Sequence, residues 1–274
     1  MIPYFEWHVI LLGPIPIQVW GLFVALGIVV ATALLSHILK RDGVNPPRPP
    51  FDKGGSNLAW DLAFVAMIGA IVGARLGHVF FYDWDFYRTH LPEIVAVWKG
   101  GLSSYGGFVG GAGAALVWLW MKGAPLLRVT DATLAALPLG WCIGRIGCFL
   151  IHDHPGTLTN SPFGVQFPGG SRFDLGMIDG LIGLFVFAVV FPLHRVIGKK
   201  FPGVTTAVAI QLYAVLRFIT DFLRATDLPN SDPRIYGFTP AQYASGILFL
   251  IGDVLILRAV FAYKKRNLAS GPQP

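Results

Sequence analysis

The sequence predicts an all-α polytopic membrane protein of seven transmembrane helices, with the N-terminus outside and the C-terminus cytoplasmic. Three observations carry this prediction. Of 274 residues, 54% are hydrophobic and only 13% are charged, against roughly 25% charged in an ordinary soluble domain; the mean hydropathy is +0.60. Apolar runs recur at close to the ~20 residues that a bilayer core requires. The basic residues between those runs alternate in density. In such a chain the net charge of +6 sorts loops, so nucleic-acid binding is not read from it.

The spans fall at 16–39, 58–82, 102–121, 131–151, 175–194, 204–223 and 240–262. One set of loops carries Lys40, Arg41, Arg48, Lys53, Lys122, Arg128, Arg195, Lys199, Lys200, Lys264, Lys265 and Arg266. The other carries Arg88, Lys99, Arg172, Arg224 and Arg234. The positive-inside rule places the richer set, and the C-terminus, in the cytoplasm. Residues 1–274 therefore read as one integral membrane domain, with outside (periplasmic) loops at about 83–101, 152–174 and 224–239. The first of these follows an aromatic cluster, Phe80 to Tyr87, suited to the membrane interface. The second is rich in Gly, Pro, Thr and Ser, and long ordered loops often carry function. Segment 45–50, Asn-Pro-Pro-Arg-Pro-Pro, reads as a stiff linker. Met1 to Glu6 contains no Lys or Arg, which argues against a cleaved signal peptide. Cys142 and Cys148, six residues apart, point to different sides of a helix, so no disulfide is expected.

Arg145 and Arg217 each lie inside an apolar span. A guanidinium near mid-bilayer costs about 2.5–3.5 kcal/mol even on the lenient insertion scale, and it keeps its proton at ordinary pH. Each therefore needs a carboxylate, a cavity or an anionic ligand, and lipid phosphate is the anion a membrane supplies. Tyr213, Arg217 and Asp221 stand at i, i+4 and i+8 on one helix face. Simple neutralisation of Arg217 by Asp221 is one reading. The other is a functional cavity, because Asp61, Arg75, His78, Arg145 and Asp179 enlarge the intramembrane polar inventory beyond one salt bridge.

The run from Gly100 to Gly111 is glycine-dense. Close helix packing through Gly106/Gly110 and Gly107/Gly111 explains it. Alternatively, the first four or five residues are non-helical and line a ligand site. His152-Asp153-His154 invites a metal reading, but adjacent side chains diverge and no third ligand cluster stands out, so a loop hydrogen-bond network is preferred, a part in substrate binding or proton transfer stays open, and no metal or cofactor is expected. Arg75, among glycines, is expected to pair with a carboxylate.

Gly144-Arg145-Ile146-Gly147-Cys148-Phe149 resembles the signature of the bacterial prolipoprotein diacylglyceryl transferase family, Gly-Arg-x-Gly-Asn-Phe, followed by Asn-x-Glu and a Gly. Arg145, Gly147, Phe149 and Gly156 agree, and Asp153 stands at the Glu. Trp98 to Gly107, which includes Gly101, Ser103 and Tyr105, resembles the family's Gly-Gly-Leu/Met-Ser-x-His-Gly-Gly segment. Tyr213 to Arg224 resembles its Tyr-x-x-x-Arg-x-x-x-Glu-x-x-Arg segment, with Asp221 for Glu. Gly73 to Gly77 and Thr239 to Gln242 fit two further segments. The likeness runs over essentially the whole chain. The departures are Cys148 for Asn, Tyr105 for His, Trp20 for Tyr, Ile151 for a second Asn, and a different sequence around Asp179.

The resemblance implies transfer of the diacylglyceryl group of phosphatidylglycerol to the lipobox cysteine of a prolipoprotein signal peptide, in the bacterial cytoplasmic (inner) membrane with the active site toward the outer face. It implies catalytic roles for Arg145, Arg217, Tyr105 and Tyr213. Substrate contacts are expected from Arg145, Arg217, Asp221, Asp179, Asp153, Gly156, Cys148, Trp20, Gly101 and Ser103. Tyr105, with an ordinary pKa near 10, is a poorer base for a thiol than the family's His. Two alternatives stay open from the departures: a non-catalytic phospholipid-binding relative, and a transferase of altered substrate. An anion transporter is a more distant reading.

Overall fold

The computed structural model describes residues 1–44, 57–229 and 231–269. The Pro-rich segment 45–50 lies outside them. The chain opens with a hairpin, β1 (Val9–Leu12) and β2 (Ile15–Gln18), antiparallel with Val9 opposite Gln18. Helices α1 (Val19–Asp42), α2 (Leu58–Phe81) and the short α3 (Trp84–Tyr87) follow. Two 3-10 turns, Leu91–Val95 and Val97–Lys99, precede α4 (Ser104–Met121) and α5 (Leu126–Ile151). Strands β3 (Pro155–Leu158), β4 (Val165–Phe167) and β5 (Gly170–Asp174) lead into α6 (Leu175–Ile197). The chain ends with α7 (Val204–Thr220), the 3-10 turn Asp221–Leu223 and α8 (Pro240–Ala269).

Six helices among the described residues are long and apolar enough to cross a membrane: α1, α2, α5, α6, α7 with its 3-10 extension, and α8. Helix α4 coincides with the remaining predicted span but falls outside that set; five of its 18 residues are glycine. The loop expected at 152–174 is largely a three-stranded antiparallel sheet in the order β3-β5-β4. Its strands are three to five residues long, and two of them carry a glycine, so they lack the apolar alternation by which a strand is recognised.

The structure divides into two compact units, Met1–Leu35 with Thr130–Pro274, and Ser36–Val129. In the second unit α2 packs on α4 backbone to backbone. A Cβ built on Gly73 would lie 2.7 Å from the Gly110 Cα, so only glycine permits this approach. This is the close-packing reading of the glycine run. The non-helical reading holds for its first residues: Gly100 and Gly101 have φ of 84° and 69°, and the helix starts at Ser104. Arg75 corrects an expectation. It turns to backbone carbonyls, not to a carboxylate, donating to Glu93 at 2.5 Å, Gly100 at 2.6 Å, Ile94 at 2.9 Å and Gly101 at 3.0 Å, and it lies over the Tyr87 ring. One buried cation thus satisfies carbonyls in a stretch with few regular backbone bonds.

In the first unit a buried carboxylate of α5 ties that helix to the start of α7, and α6 joins the same end through His194. Asp131 of α5 accepts from the Gly203 and Thr206 amides at 2.6 and 2.7 Å, capping α7 in place of its own N-cap residue, which is glycine. His194 of α6 reaches the Thr205 hydroxyl at 3.2 Å. The opposite ends of the same helices carry the candidate site.

Candidate functional site

Asp179, in the second turn of α6 and 3% exposed, receives both intramembrane arginines. Arg217 donates from Nη1 to its two carboxylate oxygens at 2.9 and 3.0 Å, and Arg145 Nη2 stands 3.1 Å from Oδ2. The i, i+4 pair expected on α7 also forms: Arg217 Nη2 lies 3.0 Å from Asp221. Asp221 is fully buried and accepts further from Arg224 Nε at 2.7 Å and from the Thr239 hydroxyl. Gln242 closes the turn, accepting from the Thr239 amide at 3.0 Å and donating to the Phe218 carbonyl at 3.1 Å. Neutralisation of Arg217 by Asp221 is therefore real, but it is one edge of a larger network. Such a network is stable only when every member is partnered, since an unpaired buried charge costs several kcal/mol.

The two arginines differ. Arg217 has one carboxylate on each Nη and is held rigidly. Arg145 commits Nη2 to Asp179, points Nη1 toward the Cys148 sulfur at 3.7 Å, and lies over the Trp141 ring at 4.6 Å. Tyr213 meets the same indole edge-on, with centroids 6.1 Å apart.

Cys148 sits in the last turn of α5 beside Gly147, where an added Cβ would lie 3.2 Å from the Trp20 Cα of α1. Two departures from the family pattern, Trp20 and Cys148, thus lie at the same α1–α5 approach. Both cysteines are free thiols. Asp153 and His154, in direct contact, fold back so that their ligand atoms and the Cys148 sulfur lie within 4.8 Å of one another.

Gly156 joins the β3–β5 sheet to the arginine network. It bridges to Arg224, and a Cβ there would sit 2.7 Å from the Leu223 carbonyl and 3.0 Å from that of Phe173. Its carbonyl accepts from Arg172 at 3.0 Å, and Arg172 forks onto Asp227 at 2.5 and 3.0 Å. That fork holds the Asp227 carboxyl below its usual range. His152, at φ 50°, lies among Tyr4, Phe5, Phe149 and Phe167 and meets Asp174 at 2.6 Å. Asp174 caps α6 through the Met177 amide at 2.9 Å; burial pushes its carboxyl up, against the His152 and amide bonds that pull it down.

Nine of the expected site residues therefore belong to one unit and one connected cluster: Trp20, Arg145, Cys148, Asp153, Gly156, Asp179, Tyr213, Arg217 and Asp221. Gly101, Ser103 and Tyr105 belong to the other unit. There the Gly101 carbonyl holds Arg75, Ser103 caps α4 by accepting from the Gly106 amide at 3.3 Å, and Tyr105 is 43% exposed in the first turn of α4. Sequence reasoning did not single out Arg224, Thr239, Gln242 or Trp141 as site members. Arg224, Thr239 and Gln242 lie in segments that resemble family motifs, and that was the available signal.

The family model for prolipoprotein diacylglyceryl transferase matches residues 8–258. The chain belongs to the prolipoprotein diacylglyceryl transferase family. Among the relatives, the chain is 31% identical over 255 residues to the phosphatidylglycerol–prolipoprotein diacylglyceryl transferase of Beijerinckia indica, covering 90% of this chain and 91% of that protein. It is 32% identical over 260 residues to the protein of that name from Nitrobacter hamburgensis, with coverage of 93% and 88%. The Burkholderia ambifaria protein of that name is 29% identical over 298 residues, with coverage of 96% and 97%. The transferase family thus accounts for almost the full length of the chain.

Proposed function

We propose that this chain transfers the diacylglyceryl group of phosphatidylglycerol to the lipobox cysteine of a prolipoprotein, forming a thioether and releasing glycerol phosphate. The observation that carries this is the pair of guanidiniums, Arg217 buried and Arg145 partly buried, that share the buried Asp179. Arg145 retains N–H donors beyond its single carboxylate contact, and a guanidinium fork matches phosphate oxygens. A phosphodiester entering beside it gains charge-assisted bonds that strengthen as negative charge accumulates on the departing phosphate. Arg217, fixed between Asp179 and Asp221, keeps Asp179 in place and adds positive potential. Tyr213 supports the Trp141 ring against which Arg145 lies.

The chain crosses the bacterial cytoplasmic membrane seven times in this reading, α4 being the seventh span, with the N-terminus and the arginine cluster toward the outer face. The basic-loop asymmetry supports that orientation, and the family names of the relatives support both substrates.

The test uses purified protein, phosphatidylglycerol and a lipobox-cysteine peptide, with mass spectrometry reading the diacylglyceryl adduct. Arg145→Ala and Arg217→Ala each abolish transfer while the protein remains in the membrane. Near-normal transfer by both variants sinks the clamp. Tyr105 and Cys148 favour a second reading, a relative that binds phospholipid without catalysis; it predicts lipid binding with no adduct while a regular family enzyme works under the same conditions.

A further inference from the structure

The Cys148, Asp153 and His154 cluster is not absorbed by the phosphate clamp. It offers a thiol, a carboxylate and an imidazole from one helix end and the loop that follows it, with ligand atoms within 4.8 Å of one another. A tetrahedral zinc site holds such ligands roughly 3.3–3.8 Å apart, from metal–ligand distances of about 2.0–2.3 Å. The Asp153 and His154 ligand atoms are in direct contact and must part to admit a cation, while the Cys148 sulfur must draw in; both side chains are about one-third exposed, 32% and 32%, and have room to turn. Three protein ligands with a fourth position open is the arrangement of a catalytic zinc site, not of a structural one.

We propose that Cys148, Asp153 and His154 bind a zinc-like divalent cation, and that its open position takes the thiol of the incoming peptide cysteine. This rests on the transferase reading above and names how its nucleophile is activated. A thiol coordinated to such a cation is held as the thiolate, and its proton leaves to solvent. The thiolate electron pair then forms the C–S bond to the glycerol carbon. The bond from that carbon to the phosphate oxygen breaks, and glycerol phosphate departs with both electrons. No oxidant or further reactant is needed. Location supports the pairing: the Cys148 sulfur is 3.7 Å from Arg145 Nη1, and the carbon to be attacked is two bonds from the phosphorus that Arg145 would hold. Charge supports it as well. A dication with the Cys148 thiolate, the Asp153 carboxylate and a substrate thiolate carries a net charge of −1, next to a guanidinium. The inference also removes the need for a base at position 105, where a tyrosine stands.

The experiment uses the full-length protein in detergent, stripped with chelator and titrated with Co2+. One Co2+ per chain with a thiolate-to-cobalt charge-transfer band is expected. Cys148→Ser abolishes the band, His154→Ala weakens Co2+ binding by at least about 10-fold, and Cys142→Ser changes neither. Adding the lipobox peptide to the wild-type cobalt form intensifies the band, because a second sulfur joins the metal. Thermal unfolding of each variant separates ligand loss from misfolding. Absence of the band in the well-folded wild type, or its survival in Cys148→Ser, overturns the site. A peptide that leaves the band unchanged overturns the open-position role. If the chelated protein transfers diacylglyceryl at the untreated rate, the metal inference fails while the transferase reading stands. If cobalt binds and the peptide joins it but no adduct forms with phosphatidylglycerol, the transferase reading fails while the site stands.

Discussion

Asp179→Asn removes one negative charge from between two guanidiniums and leaves the volume almost unchanged. The carboxylate is 3% exposed and makes three N–O contacts at 2.9–3.1 Å, two from Arg217 and one from Arg145. Removing one partner of a buried ion pair typically costs about 3–5 kcal/mol, because the remaining charge is stranded. Arg217 retains Asp221 at 3.0 Å, so the stranded charge is mainly Arg145, and the lower half of that range applies. At roughly 2–4 °C per kcal/mol for a chain of this size, the melting temperature in detergent falls by about 6–16 °C. A partial rescue is expected. An anion that fits between the guanidiniums replaces the missing charge, so phosphatidylglycerol raises the melting temperature of Asp179→Asn more than that of the wild type, and phosphatidylcholine, with no net charge, does not. Differential scanning fluorimetry with both lipids reads this directly. A variant that melts within about 1 °C of the wild type, or that responds equally to the two lipids, refutes the view that Asp179 holds two cations which an anionic headgroup can also satisfy.

Arg145→Lys keeps the charge but loses the fork and the flat contact with Trp141, so transfer falls by about 10-fold or more while expression is unchanged, as measured by adduct formation. Gly156→Ala places a methyl against two backbone carbonyls, 2.7 and 3.0 Å away, and the resulting overpacking lowers stability by about 1–3 kcal/mol in thermal melts and reduces transfer by shifting the Asp221–Arg224 turn. Asp227→Asn breaks the Arg172 fork. The Asp227 carboxyl is depressed in the folded protein, so its contribution is present above the unfolded value of about 3.9 and is lost as pH falls through the folded one. The melting difference between wild type and Asp227→Asn therefore shrinks as pH is lowered below about 4.

The helices were legible in the sequence because hydropathy and length are dictated by the bilayer: the spans expected at 58–82 and 175–194 correspond to Leu58–Phe81 and Leu175–Ile197. The β3–β5 sheet was not legible, since its register depends on tertiary partners such as Gly156 against Leu223. Arg145, Arg217, Asp179 and Asp221 were found from the cost of burying charge, but that cost does not say which carboxylate serves which arginine. The sharing of Asp179 emerges only when α5, α6 and α7 are packed. Arg75 shows the same gap, because a buried cation can be satisfied by carbonyls as well as by a carboxylate. Cys148 is legible as a departure from the family pattern; that Asp153 and His154 come back to it depends on how the chain turns after Ile151.

The Asp131 tie gives the arginine pair the mechanics of a pair of tongs. Asp131 and Arg145 are separated by 14 residues of α5, and Thr206 and Arg217 by 11 residues of α7, so the two arms extend roughly 21 and 16 Å from a common pivot. Helix α6 runs between the same two polar layers, with His194 near the pivot and Asp179 at the tips. A long lever converts a small change of angle at the pivot into a larger change at the tips: about 3° moves an arm of that length by roughly 1 Å. In the proposed clamp, the separation of the two guanidiniums thus depends on a carboxylate at the far end of their helices, and substitutions at Asp131 change it through geometry.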